Sequence, residues 1–169
     1  MSLATTWSIP TRPLKNPTDA RTRGADLTPK GETSRRAEET VARILRGEGF
    51  RVTDLNEVAG NFPLADLGAL RGEERILIQV RGTVAAHGDF PAPPAKARKL
   101  HAFAEAVGCR GLYALAHFTG DSEVIRFDTA TRVAELGEAM EESWGRKTYL
   151  HVNIEDFEVT AGRISDLLQ

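Results

Sequence analysis

The sequence predicts an α/β domain in which a mixed sheet is flanked by helices. Three observations support this fold class. Apolar residues recur every three to four positions in long segments, they alternate or run together in short segments, and glycine- and proline-rich stretches separate the two kinds. In chain order, the segments predict a helix, three strands, a helix, two strands and a helix.

The composition is that of an ordinary globular protein. The 169 residues suit one domain, and 41% hydrophobic against 27% charged residues allow a buried core without disulfides. Cys109 is the only cysteine, which excludes an internal disulfide and a cysteine cluster for zinc. No apolar run approaches the ~20 residues of a membrane span, and no signal-peptide core precedes the domain, so we expect a cytoplasmic protein. The formal charge of −2 favours no class of partner, so any basic surface must be local.

Residues 1–33 are predicted to form a flexible basic arm, and residues 34–169 the folded domain. Prolines recur through the arm without a sustained apolar period, and basic residues outnumber acidic ones. The basic residues are Arg12, Lys15, Arg21, Arg23 and Lys30. Such a segment is either a floppy terminus or an arm that orders on a polyanion.

The first helix is predicted to begin at Thr33 or Ser34, since either residue can cap a helix, and to run to about residue 46. Its apolar face, at spacings of three and four, consists of Ala37, Val41, Ile44 and Leu45. Glycines just past this segment are typical of a helix end.

Three strands are predicted next, over residues 50–55, 64–70 and 75–81. The first alternates apolar and polar residues like a half-buried strand, and the continuous apolar run of the third indicates a central position. A polar turn at 71–74 joins the second strand to the third. Residues 82–94 carry two glycines and three prolines and are predicted to be a loop.

The second half of the chain repeats these patterns. Apolar spacing predicts a helix over 94–107, and strands over 111–118 and 123–127 flank a polar turn. Residues 129–140 are predicted to be helical. The remaining predicted elements are a strand starting at Tyr149 and a short helix in the tail.

Polar residues fall at strand positions that would meet across the sheet. Asp66 lies on the predicted second strand, and Gln79 and Arg81 lie two apart on the third, so both project from one face. The second and third strands are predicted neighbours, which allows Asp66 to meet this pair. Glu38 or Glu39 on the first helix would add a further oxygen. Hard divalent cations such as Mg²⁺ prefer oxygen ligands of these kinds.

This order of elements resembles the PD-(D/E)XK nuclease superfamily, the restriction-endonuclease-like fold with an αβββαβ core. Residues 37–50 are similar to the opening helix of archaeal Holliday-junction resolvases. The segment Ile-Gln-Val-Arg-Gly-Thr at 78–83 is similar to the Gln-Val-Lys core of group I intron homing endonucleases. The resemblance covers about residues 34–127 and rests on few specific residues.

The resemblance implies a metal-dependent endonuclease that hydrolyses DNA, with Mg²⁺ or Mn²⁺ as cofactor. Asp66 would be the metal carboxylate, Gln79 would stand at the second acidic position, and the Val80 carbonyl would complete the ligands. Glu38 would orient a metal-bound water, with Glu39 as the alternative. Because such nucleases often dimerise to cut both strands, a homodimer is the expected assembly.

The sequence departs from the superfamily pattern in three places, and the minor one is that Pro63 stands three residues before Asp66 and not directly before it. Gln79 is neutral, so its amide oxygen can bind a metal but adds no negative charge. Arg81 stands where the superfamily has lysine and cannot lose its proton, although it can hold the scissile phosphate. Lys96, early in the second helix, is the candidate to replace that lysine.

These departures leave other functions open. A catalytically degenerate domain would bind nucleic acid or a protein partner without cleaving, and a structural scaffold would do neither. Lys96, Arg98 and Lys99 begin the second helix and would bind nucleic-acid phosphates, as cations at a helix N-terminus can. The same three residues also fit a solvated polar face.

Overall fold

The computed structural model describes residues 29–60, 62–91, 93–144, 151–157, 159–160 and 163–168. Within these ranges the helices are α1 (Pro29–Gly47), α2 (Leu55–Ala59), α3 (Pro94–Ala106) and α4 (Ala130–Trp144), with 3-10 turns at Ile154–Asp156 and Ile164–Leu167. The strands are β1 (Arg51–Asp54), β2 (Leu67–Arg71), β3 (Glu74–Thr83), β4 (Asp89–Pro91), β5 (Arg110–Thr119), β6 (Ser122–Thr129), β7 (His151–Asn153) and β8 (Val159–Thr160). None of the helices described is both long and apolar enough to span a bilayer.

The main sheet is mixed and has the order β1-β2-β3-β5-β6-β8. The first three strands form an antiparallel meander, β3 and β5 run parallel, and β6 and β8 continue antiparallel. Because parallel neighbours require a crossover connection, the chain between β3 and β5 passes through β4 and α3. The predicted α/β fold with a mixed central sheet is therefore confirmed.

Helices pack against both faces of this sheet. Side chains alternate along β5, so Leu112 and Ala114 join a core with α1, whereas Tyr113 and Leu115 join a core with α3 and α4. Both cores meet at β3 and β5. Helices α1 and α3 therefore lie on opposite faces of the same two strands.

Gly82 allows α1 to approach β3 closely. A Cβ added at Gly82 would lie 2.8 Å from the Ala37 Cβ and 2.9 Å from the Thr33 carbonyl oxygen. Both distances are shorter than van der Waals contact, so only glycine fits without displacing the helix. This contact holds the N-terminal half of α1, which carries Glu38, against the end of β3.

The predicted start of the first helix was wrong by four or five residues. Helix α1 begins at Pro29, and proline is favoured at the first helical position because its missing N–H has no intrahelical partner there. The predicted arm therefore overlaps the helix at residues 29–33, and its other residues, 1–28, lie outside the described ranges.

Three elements were missed by the sequence interpretation: α2, β4 and β8, the last of which pairs with β6 at the edge of the main sheet. The first predicted strand ends at Asp54, whose side chain caps α2 by accepting hydrogen bonds from the amides of Asn56 (2.8 Å) and Glu57 (3.2 Å). The predicted loop over 82–94 contains β4, which pairs with β7 in a separate two-stranded sheet. Asn153 supports this pairing by donating to the Asp89 carboxylate at 3.1 Å.

Smaller differences concern element ends. Asp66 was predicted on the second strand but lies one residue before β2. Of the strand predicted from Tyr149, residues 149–150 lie outside the described ranges and β7 begins at His151. The predicted tail helix is a single 3-10 turn, Ile164–Leu167.

We predict that Gly82→Ala destabilises the protein by about 1–3 kcal/mol, because overpacking forces backbone to move. Chemical denaturation measures the change in the free energy of unfolding. Gly47→Ala is the matched control, since an added Cβ there meets nothing within 4 Å. Equal stabilities for the two variants would show that α1 does not depend on this close approach.

Candidate active site

The main sheet splits beside Asp66. Strand β2 pairs with β3 as far as Leu67 opposite Ile78, whereas β3 continues to Thr83 beside β5. From residue 79 onward, the edge of β3 that faced β2 is no longer covered by it. The amide and carbonyl of Val80 both point to this edge, which we call the split edge (residues 79–83 of β3).

Asp66 lies at the start of the split edge and forms hydrogen bonds with it. Its carboxylate Oδ2 accepts a hydrogen bond from the Val80 amide at 2.7 Å. The Asp66 amide donates to the Ile78 carbonyl at 2.8 Å, and the Asp66 carbonyl accepts from the Leu55 amide at 2.9 Å. Its Oδ1 accepts a longer bond, 3.4 Å, from the Asn56 side chain. Main-chain contacts therefore fix the position of this carboxylate.

Gln79 lies beside Asp66 and is only 2% exposed. Its side-chain nitrogen Nε2 donates to Asp66 Oδ2 and, more weakly, to the Val80 carbonyl at 3.5 Å. A buried amide needs such partners, because an unsatisfied polar group costs about 1–3 kcal/mol. Rotation of the amide by 180° would bring its oxygen to the position of the nitrogen.

Arg81 folds back along the same strand. Its guanidinium Nη1 donates to the Val80 carbonyl at 3.0 Å, and the side chain is half-buried. The Val80 carbonyl is thus a hydrogen-bond acceptor that faces the split edge together with the Asp66 carboxylate. The structure brings Asp66, Gln79, Val80 and Arg81 together, although Asp66 lies one residue before β2 and not on it.

Glu38 on α1 belongs to the same electrostatic environment. Burial, followed by the negative charges of Asp66 and Asp54, raises the pKa of Glu38 to about 7, and Arg81 acts in the opposite direction. Glu39 is exposed and forms an ion pair with Arg35 at 3.0 Å. Of the two predicted helix glutamates, the structure therefore places Glu38 near the site and directs Glu39 to solvent.

The three predicted phosphate-binding cations separate in the structure. Burial and the charge of Arg81 lower the pKa of Lys96, whereas Asp66 acts in the opposite direction, so Lys96 lies within electrostatic reach of the split edge. Arg98 pairs with Glu138 of α4. Lys99 is exposed. Only Lys96 of this group is thereby associated with the site.

Tyr113 is a further residue beside the candidate site, and the sequence interpretation missed it. It lies directly opposite Gln79 in the β3–β5 register and is 1% exposed. Burial raises its pKa to about 12, and Asp66 adds to this effect while Arg81 opposes it. Alternation along 111–118 predicts its face, but the register between two parallel strands has no local signal in the sequence.

The side chains of the site divide into two chemical groups. Glu38 and Asp66 supply carboxylate oxygens, which suit a cation or a proton. Arg81, Lys96 and the hydroxyl of Tyr113 supply donors, which suit an anionic oxygen. Such a combination can hold a phosphodiester and a water molecule side by side.

We predict that Glu38→Gln stabilises the metal-free protein above pH 7. The folded-state pKa of about 7 exceeds the unfolded value of about 4.5, so ionisation of Glu38 weakens the fold as the pH rises through this window. After allowance for solvent screening of a half-buried group, the gain is about 1–2 kcal/mol. Urea denaturation in EDTA at pH 4.5 and pH 8 measures it, with Glu39→Gln as the control. A gain that does not vary with pH would contradict the burial of Glu38 beside Asp66.

The comparison with known proteins shows a likeness of fold. No protein-family model and no curated protein match the chain. A solved structure that it resembles is Hjc, a Holliday junction resolvase from the archaeal hyperthermophile Archaeoglobus fulgidus, with a TM-score of 0.53 and 15% sequence identity. The match covers 79% of this chain and 95% of that chain. The chain therefore has the mixed α/β, restriction-endonuclease-like fold of a Holliday junction resolvase.

Proposed function

We propose that this chain is a metal-dependent endonuclease that hydrolyses DNA phosphodiester bonds at the split edge. The observation that supports this most directly is the hydrogen bond from the Val80 amide to the Asp66 carboxylate, because it sets that carboxylate beside Gln79 and Arg81 at a break in the sheet. The resemblance of the fold to a Holliday junction resolvase supports DNA as the substrate class.

The oxygen atoms at the split edge fit a hard divalent cation. The Asp66 carboxylate and the Val80 carbonyl face the same edge, and a rotated Gln79 amide would add a third oxygen. Within the described ranges, no three His, Cys, Asp or Glu side chains come close enough together to hold a metal. Binding would therefore rely on the neutral oxygens of Gln79 and Val80, which favours modest affinity for Mg²⁺ or Mn²⁺.

The cation would supply two effects when bound: it would acidify a bound water and polarise the phosphate. Glu38 would orient the attacking water and accept its proton, since a base with a pKa about 7 is matched to neutral pH. Arg81 would turn from the Val80 carbonyl to the phosphate and offset the charge that develops on it. Lys96 would add a second positive charge on the α3 side.

A second candidate function is DNA binding without cleavage. Two contacts favour it: the Gln79 amide nitrogen donates a hydrogen bond to Asp66 Oδ2, and the Arg81 guanidinium donates one to the Val80 carbonyl. Both hydrogen bonds use oxygens that a metal would need as ligands. A domain that keeps these contacts when DNA binds would be a degenerate member of the fold.

We predict that Asp66→Asn lowers cleavage of supercoiled plasmid and of a branched DNA junction by about 100-fold or more, in line with the loss of one charged group at a reacting centre. Asparagine retains an acceptor for the Val80 amide, so the fold should survive, as circular dichroism can check. Asp121→Asn, in the exposed turn between β5 and β6, is the control.

The outcomes of this experiment separate the two candidate functions. Cleavage that requires Mg²⁺ or Mn²⁺ and disappears in Asp66→Asn supports the endonuclease. Undiminished cleavage in that variant would place the chemistry elsewhere. A folded wild-type protein that binds DNA but cuts with neither metal supports the degenerate binder instead.

We predict that Gln79→Glu makes stability dependent on metal. In EDTA, a buried carboxylate facing Asp66 loses the amide donor and destabilises the fold by about 2–4 kcal/mol. Mg²⁺ would reverse this loss and would reach half-maximal cleavage at a lower concentration than in the wild type. Thermal denaturation with and without Mg²⁺ measures the stability change.

Gln79→Met is the matched control for that substitution, because it removes the amide without adding charge. In EDTA this variant should be less stable than the wild type. Mg²⁺ should raise its stability by no more than it raises the stability of the wild type. If Mg²⁺ stabilises all three proteins equally, Gln79 does not contact the cation.

A further inference from the structure

The hydroxyl of Tyr113 is a buried polar atom for which the described part of the chain supplies no hydrogen bond. The residue is 1% exposed, and its hydroxyl is buried without a hydrogen-bond partner among the described residues. A buried hydroxyl normally finds a partner, because an unmade hydrogen bond in the interior is unfavourable. We therefore expect this hydroxyl to donate a hydrogen bond to a ligand that the free protein does not hold.

The surroundings of the hydroxyl indicate what kind of ligand this is. Tyr113 pairs with Gln79 across β3 and β5, so both side chains lie on one face of the sheet. Helix α3, which carries Lys96, packs on the same face through Ala97 and Leu100. Arg81 follows Gln79 by two residues on β3 and therefore projects from the same face, and its charge acts on both Tyr113 and Lys96. Two cations and a hydroxyl on one face of the sheet suit an anion.

The chemistry of tyrosine determines what the Tyr113 hydroxyl can do. A tyrosine hydroxyl is protonated at neutral pH, since its ordinary pKa is about 10. It therefore serves as a hydrogen-bond donor and not as a nucleophile or a base. A neutral donor beside two cations complements an oxyanion with several oxygens.

We propose that the Tyr113 hydroxyl donates a hydrogen bond to a non-bridging oxygen of the scissile phosphodiester, beside Arg81 and Lys96. The inference rests on the proposed function and adds to it a contact to the substrate from β5. Because the hydroxyl is buried, the phosphate reaches it only after a covering side chain moves. The proposed contact of Arg81 with the phosphate already requires this side chain to move away from the Val80 carbonyl.

Tyr113→Phe tests this role, because it removes the oxygen and keeps the ring. We expect the rate of single-turnover cleavage at saturating DNA to fall about 10- to 100-fold, as for one hydrogen bond to a charged transition state. The dissociation constant for DNA, measured in the Asp66→Asn background, should change less than about three-fold, since many phosphate contacts share the binding energy. Thr119→Val, which removes an exposed hydroxyl from the end of β5, is the control.

Stability distinguishes a substrate contact from a structural one. Because no described residue forms a hydrogen bond with the hydroxyl, we expect Tyr113→Phe to unfold in urea at the same or a higher concentration than the wild type. A fall of five-fold or more in the folding equilibrium constant would show that the hydroxyl has a structural partner and would overturn the proposal. An unchanged cleavage rate would overturn it as well.

Failure of the proposed function is recognised separately. If the wild type binds DNA and cuts with neither metal, the endonuclease is wrong, and the Tyr113 contact is then tested by affinity alone. In that case Tyr113→Phe should weaken binding of a short duplex about ten-fold, while Thr119→Val should not. For a wild type that binds DNA without cutting it, equal affinities of the wild type and Tyr113→Phe would exclude the phosphate contact.

Discussion

The hydrogen bond from the Val80 amide to the Asp66 carboxylate is the interaction on which the candidate site depends. Strand β3 extends beyond the end of its neighbour β2, and a backbone amide on the unpaired edge of β3 needs a hydrogen-bond acceptor. Asp66 supplies it with a side chain in place of a further strand residue. The sheet can therefore open at this point while β3 continues beside β5. The edge of β3 from Gln79 to Arg81 is thereby left without a neighbouring strand, next to a fixed carboxylate.

The site combines groups that a stable fold alone would not place together. Glu38 lies half-buried near Asp66, although both are acids, and Tyr113 buries a hydroxyl that no described residue satisfies. Each arrangement weakens the free protein, and the proposed ligands would relieve it: a cation near the carboxylates and an oxyanion at the hydroxyl. Local conflicts of this kind concentrate at functional sites, where binding compensates for them.

Local patterns predicted most of the fold and part of the site. Alternation along β3 placed Gln79 and Arg81 on one face, and the phase of the apolar positions in α1 favours Glu38 over Glu39, although the sequence interpretation kept both. Strand β4 was missed because it pairs with β7, and the paired residues are 60 to 64 positions apart in the chain, which no local pattern reports. Tyr113 was missed for a similar reason, since its position opposite Gln79 depends on the parallel register of β3 and β5.

Binding of Mn²⁺ followed by nuclear magnetic resonance tests the central claim most directly, because it locates the cation without requiring cleavage. In the full chain labelled with ¹⁵N, substoichiometric Mn²⁺ should broaden the amide signals of residue 66 and of residues 79–81 before all others. Asp66→Asn should abolish this broadening, and Asp121→Asn should preserve it. Broadening centred on another part of the chain, or broadening that persists in Asp66→Asn, would contradict a metal site at the split edge.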